Sequence, residues 1–204
     1  GTIADPFQTI DYAMSRIYQT ENNPITIHLV GGTYSPNNNN ESFPVYMFSN
    51  TNLTGDVEEM VILDAQETAR VIMIVSSANN MISRLTITGG DAVYGGGMRI
   101  FDSSPTLNNV TIVENAAVEG GGIHLLDSNP ILTNTIVWNN SPESIVLGDG
   151  DEEPIIRYSN VEGGWSGEAN INVDPLFTDF ENGDYTLQIG SPCIDSGTVD
   201  LDGD

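Results

Sequence analysis

The chain has 204 residues, enough for one domain with a substantial core. Five basic residues against 29 acidic ones give a formal net charge of −24, and every cation is an arginine. Such a field repels nucleic-acid phosphates and anionic membrane surfaces, so it disfavours both as partners. Self-repulsion on this scale suits either a solvated acidic surface in a saline or extracellular setting, or the binding of calcium. The single cysteine, Cys193, cannot close an intramolecular disulfide and leaves the redox compartment open. No apolar run is long enough to insert across a bilayer.

In chain order, Asp5-Pro6-Phe7-Gln8 reads as a helix start, with Asp5 as cap, Pro6 in the first turn and Gln8 closing a capping box. Phe7, Ile10, Met14, Ile17 and Tyr18 share one face at helical spacing, which predicts an amphipathic helix over residues 5–20. Ahead of a stack of strands, this helix would be an N-terminal cap over the first open edge. Thr26-Ile27-His28-Leu29-Val30 and the turn Gly31-Gly32-Thr33-Tyr34 make the first strand, with His28 facing solvent. Asn37 to Glu41 is expected to project as a polar loop. Two more strand-bearing segments follow, from Met47 to Asp64 and from Val71 to Val75.

Residues 82–140 then repeat three times. Arg84-Leu-Thr-Ile, Asn109-Val-Thr-Ile and Asn134-Thr-Ile-Val begin at intervals of 25 residues, and Gly95-Gly96-Gly97 recurs as Gly120-Gly121-Gly122. A fixed period of this length marks a stacked repeat. Its short β-branched runs, bounded by Gly, Asn, Asp and Pro, are strand chemistry, and no stretch is free enough of breakers for a helix. Like residues should therefore lie above like, with Ile87, Ile112 and Val137 forming an inward ladder. The coils are expected over residues 26–165. Beyond them, Asp174-Pro-Leu-Phe177 and Gly190-Ser-Pro-Cys-Ile-Asp-Ser-Gly197 lie in a segment, 171–198, read as a C-terminal cap.

The strings Gly-Gly-Gly-(Met/Ile), (Ser/Asn)-Pro-x-Leu, Val110-Thr-Ile-x-x-Asn and Thr86-Ile-Thr-Gly-Gly resemble the right-handed parallel β-helix, or pectin-lyase-like, superfamily. The opening from Pro6-Phe7 through Gly-Gly-Thr-Tyr is similar to the start of many secreted β-helix proteins. The closing strings resemble the tail of many bacterial surface β-helix proteins, often found just before a cell-envelope anchor. The resemblance implies an all-β, right-handed single-stranded parallel β-helix of about 25 residues per coil. It also implies a secreted or cell-surface setting, with the chain a piece of a longer protein. It leaves activity open, since this fold carries polysaccharide lyases, glycosidases and adhesins alike.

Inward positions of a narrow β-helix are filled, so chemistry belongs on outward ladders or loops. With Met98 and Ile100 inward, Arg99 faces out, His124 follows one coil on, and Glu119 stands one coil from Tyr94. This group of cation, imidazole, carboxylate and ring is either a ligand-binding face or a solvated ladder whose ion pair is worth little. A second outward face carries Thr88, Val113 and Trp138, and Trp138 either offers a platform for a sugar ring or tucks under a loop. Asn109, Asn134 and Asn160 would stack as turn-stabilising amides. Asp200, Asp202 and Asp204 alternate oxygen donors as the opening of a calcium loop does, and the acidic turn 149–153 is a second calcium candidate.

These features point to a non-catalytic extracellular or cell-surface module that binds a polysaccharide or cell-surface glycan, or acts in adhesion. The alternative is a polysaccharide lyase or glycoside hydrolase. A lyase needs an Arg or Lys base beside cations, and a hydrolase needs two carboxylates about 5–10 Å apart. Lys is absent, Arg99 has no evident calcium cluster in its neighbourhood, and Glu119 has no clear partner on its ladder. A chain at −24 would also repel an anionic polymer unless calcium bridged the two.

Overall fold

Segments this short cannot satisfy their own backbone groups, so each must pair with the equivalent segment one turn away. In the computed structural model, which describes residues 1–2, 4–148, 150 and 153–198, that pairing is parallel throughout the stack. The result is a β-solenoid of about 5 turns with about 25 residues per turn. One broad sheet stacks Ile25–His28, Thr51–Thr54, Met81–Thr88, Thr106–Val113, Ile131–Thr133 and Ile155–Arg157 in that order. Val61–Asp64, Ile136–Trp138 and Asn160–Val161 extend the same sheet past a bend. A second sheet stacks Val45–Met47, Ile72–Val75, Met98–Phe101, Ile123–Leu126 and Ile145–Leu147. Between the two sheets in each middle turn, Asp91–Tyr94 pairs with Ala116–Glu119 as a two-stranded ribbon.

The predicted ladder is present: Ile112 lies opposite Ile87 on one side and Val137 on the other, and all three are fully buried. A parallel column of Leu53, Ile82, Leu107, Leu132 and Ile156 fills the other half of the interior. The bend recurs at Arg84, Asn109, Asn134 and Tyr158, whose φ values of 56°, 54°, 52° and 51° all lie in the left-handed region. Asn tolerates that conformation best among residues with a side chain. Asn160 does not join this column, contrary to the sequence expectation. It pairs with Ile136 inside the sheet, and its amide donates to Val173 O and contacts Cys193 Sγ.

The glycine triplets answer to crowding between turns. A Cβ on Gly96 would stand 2.1 Å from the Ala116 carbonyl oxygen, and one on Gly121 2.2 Å from that of Ser141. Buried beside them, the Asn115 amide donates to the carbonyls of Ile87 and Val113 and to Asn140 Oδ1, each at 3.0 Å. Asn140 repeats the pattern one turn on, donating to Ile112 O and Trp138 O. These amides complete the hydrogen bonding of carbonyls that the corner would otherwise leave unpaired.

Both ends depart from expectation. The helix spans Ile10–Met14, not 5–20, and its cap is Thr9, whose hydroxyl accepts from Tyr12 N. Glu41 decides this start: its buried carboxylate accepts from Ile10 N at 2.6 Å and Asp11 N at 3.0 Å, a better match to the helix N-terminus than Asp5. The loop before Glu41 thus folds back rather than projecting, and Asn39 donates to Gln8 O. Ile10 and Met14 join the core, whereas Phe7 and Tyr18 from the expected stripe are exposed, Tyr18 by 85%. At the far end Trp165 packs against the core. The C-terminal hairpin, Phe177–Asp179 with Asp184–Leu187, lies instead along the flank of the broad sheet, where Tyr185 meets Thr88 and Glu114. No helix among the described residues is long and apolar enough to cross a membrane.

Truncating the centre of a ladder leaves a void that rigid stacked turns cannot collapse. Ile112→Ala is expected to lower stability by about 2–5 kcal/mol, measured by denaturant unfolding.

Candidate functional site

Strand alternation in the second sheet turns Met98, Ile100, Ile123 and Leu125 into the core and sends the residues between them outward. The outward column, turn by turn, is Tyr46, Met73, Arg99, His124 and Val146. The expected pairing of Arg99 with His124 is therefore present, and so is that of Tyr94 with Glu119. The two pairs meet through Tyr94, which leans from the corner ribbon over the column. Its ring centroid is 5.0 Å from that of His124, tilted by 56°, and the Arg99 Cζ stands 5.3 Å from the same ring. A cation–π contact at this distance contributes about 0.5–1 kcal/mol where it is solvated and more where it is dry.

This geometry separates the four residues. His124 is only 4% exposed, so it supports the Tyr94 ring from beneath and is not a surface group. Tyr94 keeps 37% of its surface, Tyr46 keeps 55%, and Arg99 is half-buried. Glu119 stands exposed at the rim, in register with Tyr94.

Arg70 belongs to the same face, and the sequence reading missed it. Its Nε donates to the carbonyls of Tyr94 at 3.1 Å and Gly95 at 2.9 Å, its Nη2 donates to Tyr94 O as well, and its Nη1 reaches Met73 Sδ. The signal was the spacing: Arg70 precedes Tyr94 by 24 residues, one turn of the stack. Its own turn lacks the glycine landmarks that made the later ones easy to align. Burial, and next the like charge of Arg99, press the Arg70 pKa below its ordinary value, while the Tyr46 phenol acts the other way. Among the described residues neither guanidinium meets a carboxylate at ion-pair distance. The face thus combines two cations with two partly exposed phenol rings, a set that can hold a polar or charged ligand by donors and ring faces together.

The second outward face is not a surface. Val113 is fully buried, and Trp138 packs with it in an apolar cluster formed with Phe177, Tyr185 and Phe180 of the flanking hairpin. Of the two alternatives for Trp138, its position under a neighbouring segment is the one observed. Tyr185 anchors that segment, donating to Glu114 Oε2 at 2.8 Å with Thr88 Oγ1 at 3.3 Å. Burial first, then the adjoining Glu114 carboxylate, pushes its phenol up to about 12.

Asn134 clasps the backbone of Thr198 with both ends of its amide, and Cys193 lines the same groove as a half-buried thiol whose pKa burial raises. The calcium candidates Asp200, Asp202 and Asp204 lie outside the described residues, as do Asp149, Asp151 and Glu152 of the acidic turn. Among the described residues no group of three or more His, Cys, Asp or Glu side chains is placed to hold a metal.

Comparison with protein-family models, curated proteins and solved structures finds no match to this chain, so the chemistry of the face has to come from its own geometry.

The Tyr185 phenol titrates at 10.0 when unfolded and about 12 in place. The folded state therefore holds the proton that the unfolded chain releases, and this contribution is complete below pH 10 and lost as pH rises toward 12. Tyr185→Phe is expected to cost about 1 kcal/mol at neutral pH through the lost hydrogen bond. It should also reduce the alkaline decline, as seen in urea midpoints measured across that range.

Proposed function

We propose that the chain is a non-catalytic, extracellular or cell-surface β-helix module that binds a polysaccharide along the face formed by Tyr46, Met73, Arg70, Tyr94 and Arg99. The observation that carries this reading is the open, ordered column of the second sheet. Tyr46, Met73 and Arg99 succeed one another at the strand spacing of about 4.8 Å, with Tyr94 and Arg70 fixed beside them. A column that steps at the strand spacing suits a periodic ligand that can lie across several turns, and ring faces with fixed donors suit one rich in hydroxyls. Rigid aromatic anchors on regular strands lose little conformational freedom on binding.

The same reading groups the chain with the pectin-lyase-like, right-handed β-helix proteins, on the strength of the Gly-Gly-Gly and Asn-Pro landmarks and the 25-residue period. Its extracellular setting is supported by the acidic, lysine-free composition. Adhesion is compatible with the same surface, since the partner would be a glycan presented on another cell.

The test is retention of the protein on immobilised polysaccharides, followed by titration. Tyr94→Ala is expected to weaken binding about tenfold, as loss of a central aromatic anchor does. Trp138→Ala should lower the melting temperature and leave the affinity of the remaining folded protein unchanged. Release of reducing or unsaturated ends from a bound polymer would replace this reading with an enzymatic one.

A further inference from the structure

The last turn of the solenoid is incomplete. Ile155–Arg157 and Asn160–Val161 continue the broad sheet over Ile131–Thr133 and Ile136–Trp138. The chain then turns through Gly163 and Gly164, both in the left-handed region at φ 89° and 82°. Residues 168–171 lie back over the same sheet, where Glu168 O accepts from Tyr158 N and Ile171 pairs with Asn160. No described strand is added beyond Ile145–Leu147, so the second sheet ends there. At its other end the helix Ile10–Met14 packs against Val45–Met47.

Register decides which backbone groups that last strand leaves open. Ile123 N donates to Ser144 O and Gly148 N to Leu125 O, which turns the N–H and C=O of Val146 toward the sheet and those of Ile145 and Leu147 away from it. Among the described residues no segment pairs with that outer side. The side chains of Ile145 and Leu147 continue the inward columns of Ile123 and Leu125, yet they are only half-buried, whereas Ile123 and Leu125 are each 1% exposed. An unpaired strand edge beside half-covered apolar residues is a template for pairing with another chain.

Beside the start of this strand opens a cavity of about 610 Å³, whose lining includes Ile145, Glu143, Glu162 and Trp165. Both carboxylates are exposed, and each has one oxygen engaged: Glu143 Oε2 accepts from Gly120 N at 3.2 Å and Glu162 Oε2 from Asn139 N at 2.7 Å. Their Oε1 atoms accept no hydrogen bond from the described residues. An indole beside two carboxylates suits a cationic side chain, which ring and oxygens attract together.

We infer that the incomplete turn is the docking site for an extended segment of a partner protein. The segment adds as a strand to Ile145–Leu147, covers the end of the core with apolar residues at alternate positions, and places a lysine or arginine by Glu143, Glu162 and Trp165. Main-chain bonds along the edge supply affinity, and the cavity selects the side chain. A second copy of this chain is a poor occupant, since it has no lysine, five arginines and a net charge of −24 that repels its like.

The experiment is fluorescence-anisotropy titration of the intact chain, at physiological ionic strength, with a labelled heptapeptide of alternating threonine and valine carrying arginine at each end. Either strand direction then brings a cation to the cavity. The same peptide with glutamate ends is expected to bind at least tenfold more weakly. N-methylation of one alternate set of peptide residues should abolish binding, and of the other set leave it largely intact, because only one set faces the edge. The double variant Glu143→Gln, Glu162→Gln should weaken the arginine peptide about fivefold with the melting temperature unchanged, since each new amide oxygen keeps its backbone contact. Tyr94→Ala should leave peptide binding as it is, which separates this site from the glycan face. Equal binding of arginine- and glutamate-ended peptides, or equal behaviour of the two N-methylated sets, would overturn the inference. So would an arginine-peptide affinity untouched by the double variant, which would assign the attraction to the overall charge. Failure of every peptide to bind would overturn it too, and self-association of the chain in sedimentation measurements would then give the edge to a second copy.

Discussion

Vertical register between successive turns is the constraint from which the other features descend. Each strand is hydrogen-bonded to its counterpart one turn away, so a slip of one residue would exchange its inward and outward sets. The slip is resisted from inside by columns such as Leu63, Ile87, Ile112 and Val137, where every level is apolar and fully buried. It is resisted at the corners by residues that can bend the chain through the left-handed region, and by the Asn115 and Asn140 amides that tie one turn to the next. Periodicity, packing and polar satisfaction therefore agree on a single alignment, which is the condition for one well-defined fold.

Given that register, the two outward faces take different fates. The flank of the broad sheet presents Val113, Ile136 and Trp138, an apolar patch that water would penalise, and the Phe177–Leu187 hairpin covers it. The second sheet presents Tyr46, Met73 and Arg99, a mixed column that is stable in contact with water, and no described segment is laid across it. Near one end the buried Glu41 carboxylate fixes the helix start, and near the other Trp165 packs against the interior. Covered apolar flank and open mixed face are consequences of one alternation, read on two sheets.

Charge has a comparable division between scales. The total of −24 governs solubility and long-range repulsion, whereas recognition depends on what stands within a screening length of the ligand. Arg70 and Arg99 come from different turns and meet through Tyr94, which contacts both, and through Met73, which Arg70 reaches and Arg99 follows in the column. Burial beneath that ring also removes His124 from the surface, although its place in the column is what the 25-residue interval predicts.

The sequence by itself determined the solenoid, its period, its inward ladders and the pairings of Arg99 with His124 and Tyr94 with Glu119. All of these follow from local strand chemistry and from arithmetic along a repeat, and neither requires knowledge of what lies outside the strands. Only the tertiary structure decided the length of the helix, the seat of the hairpin, the burial of His124 and Trp138, and the arrival of Arg70. Each of these turns on a side-chain contact that the 25-residue period does not specify: Glu41 on Ile10, Tyr185 on Glu114, Tyr94 over His124, Arg70 under Tyr94. A period specifies which residues stack, but the way irregular segments fold back onto the stack is settled by packing and hydrogen bonding in three dimensions.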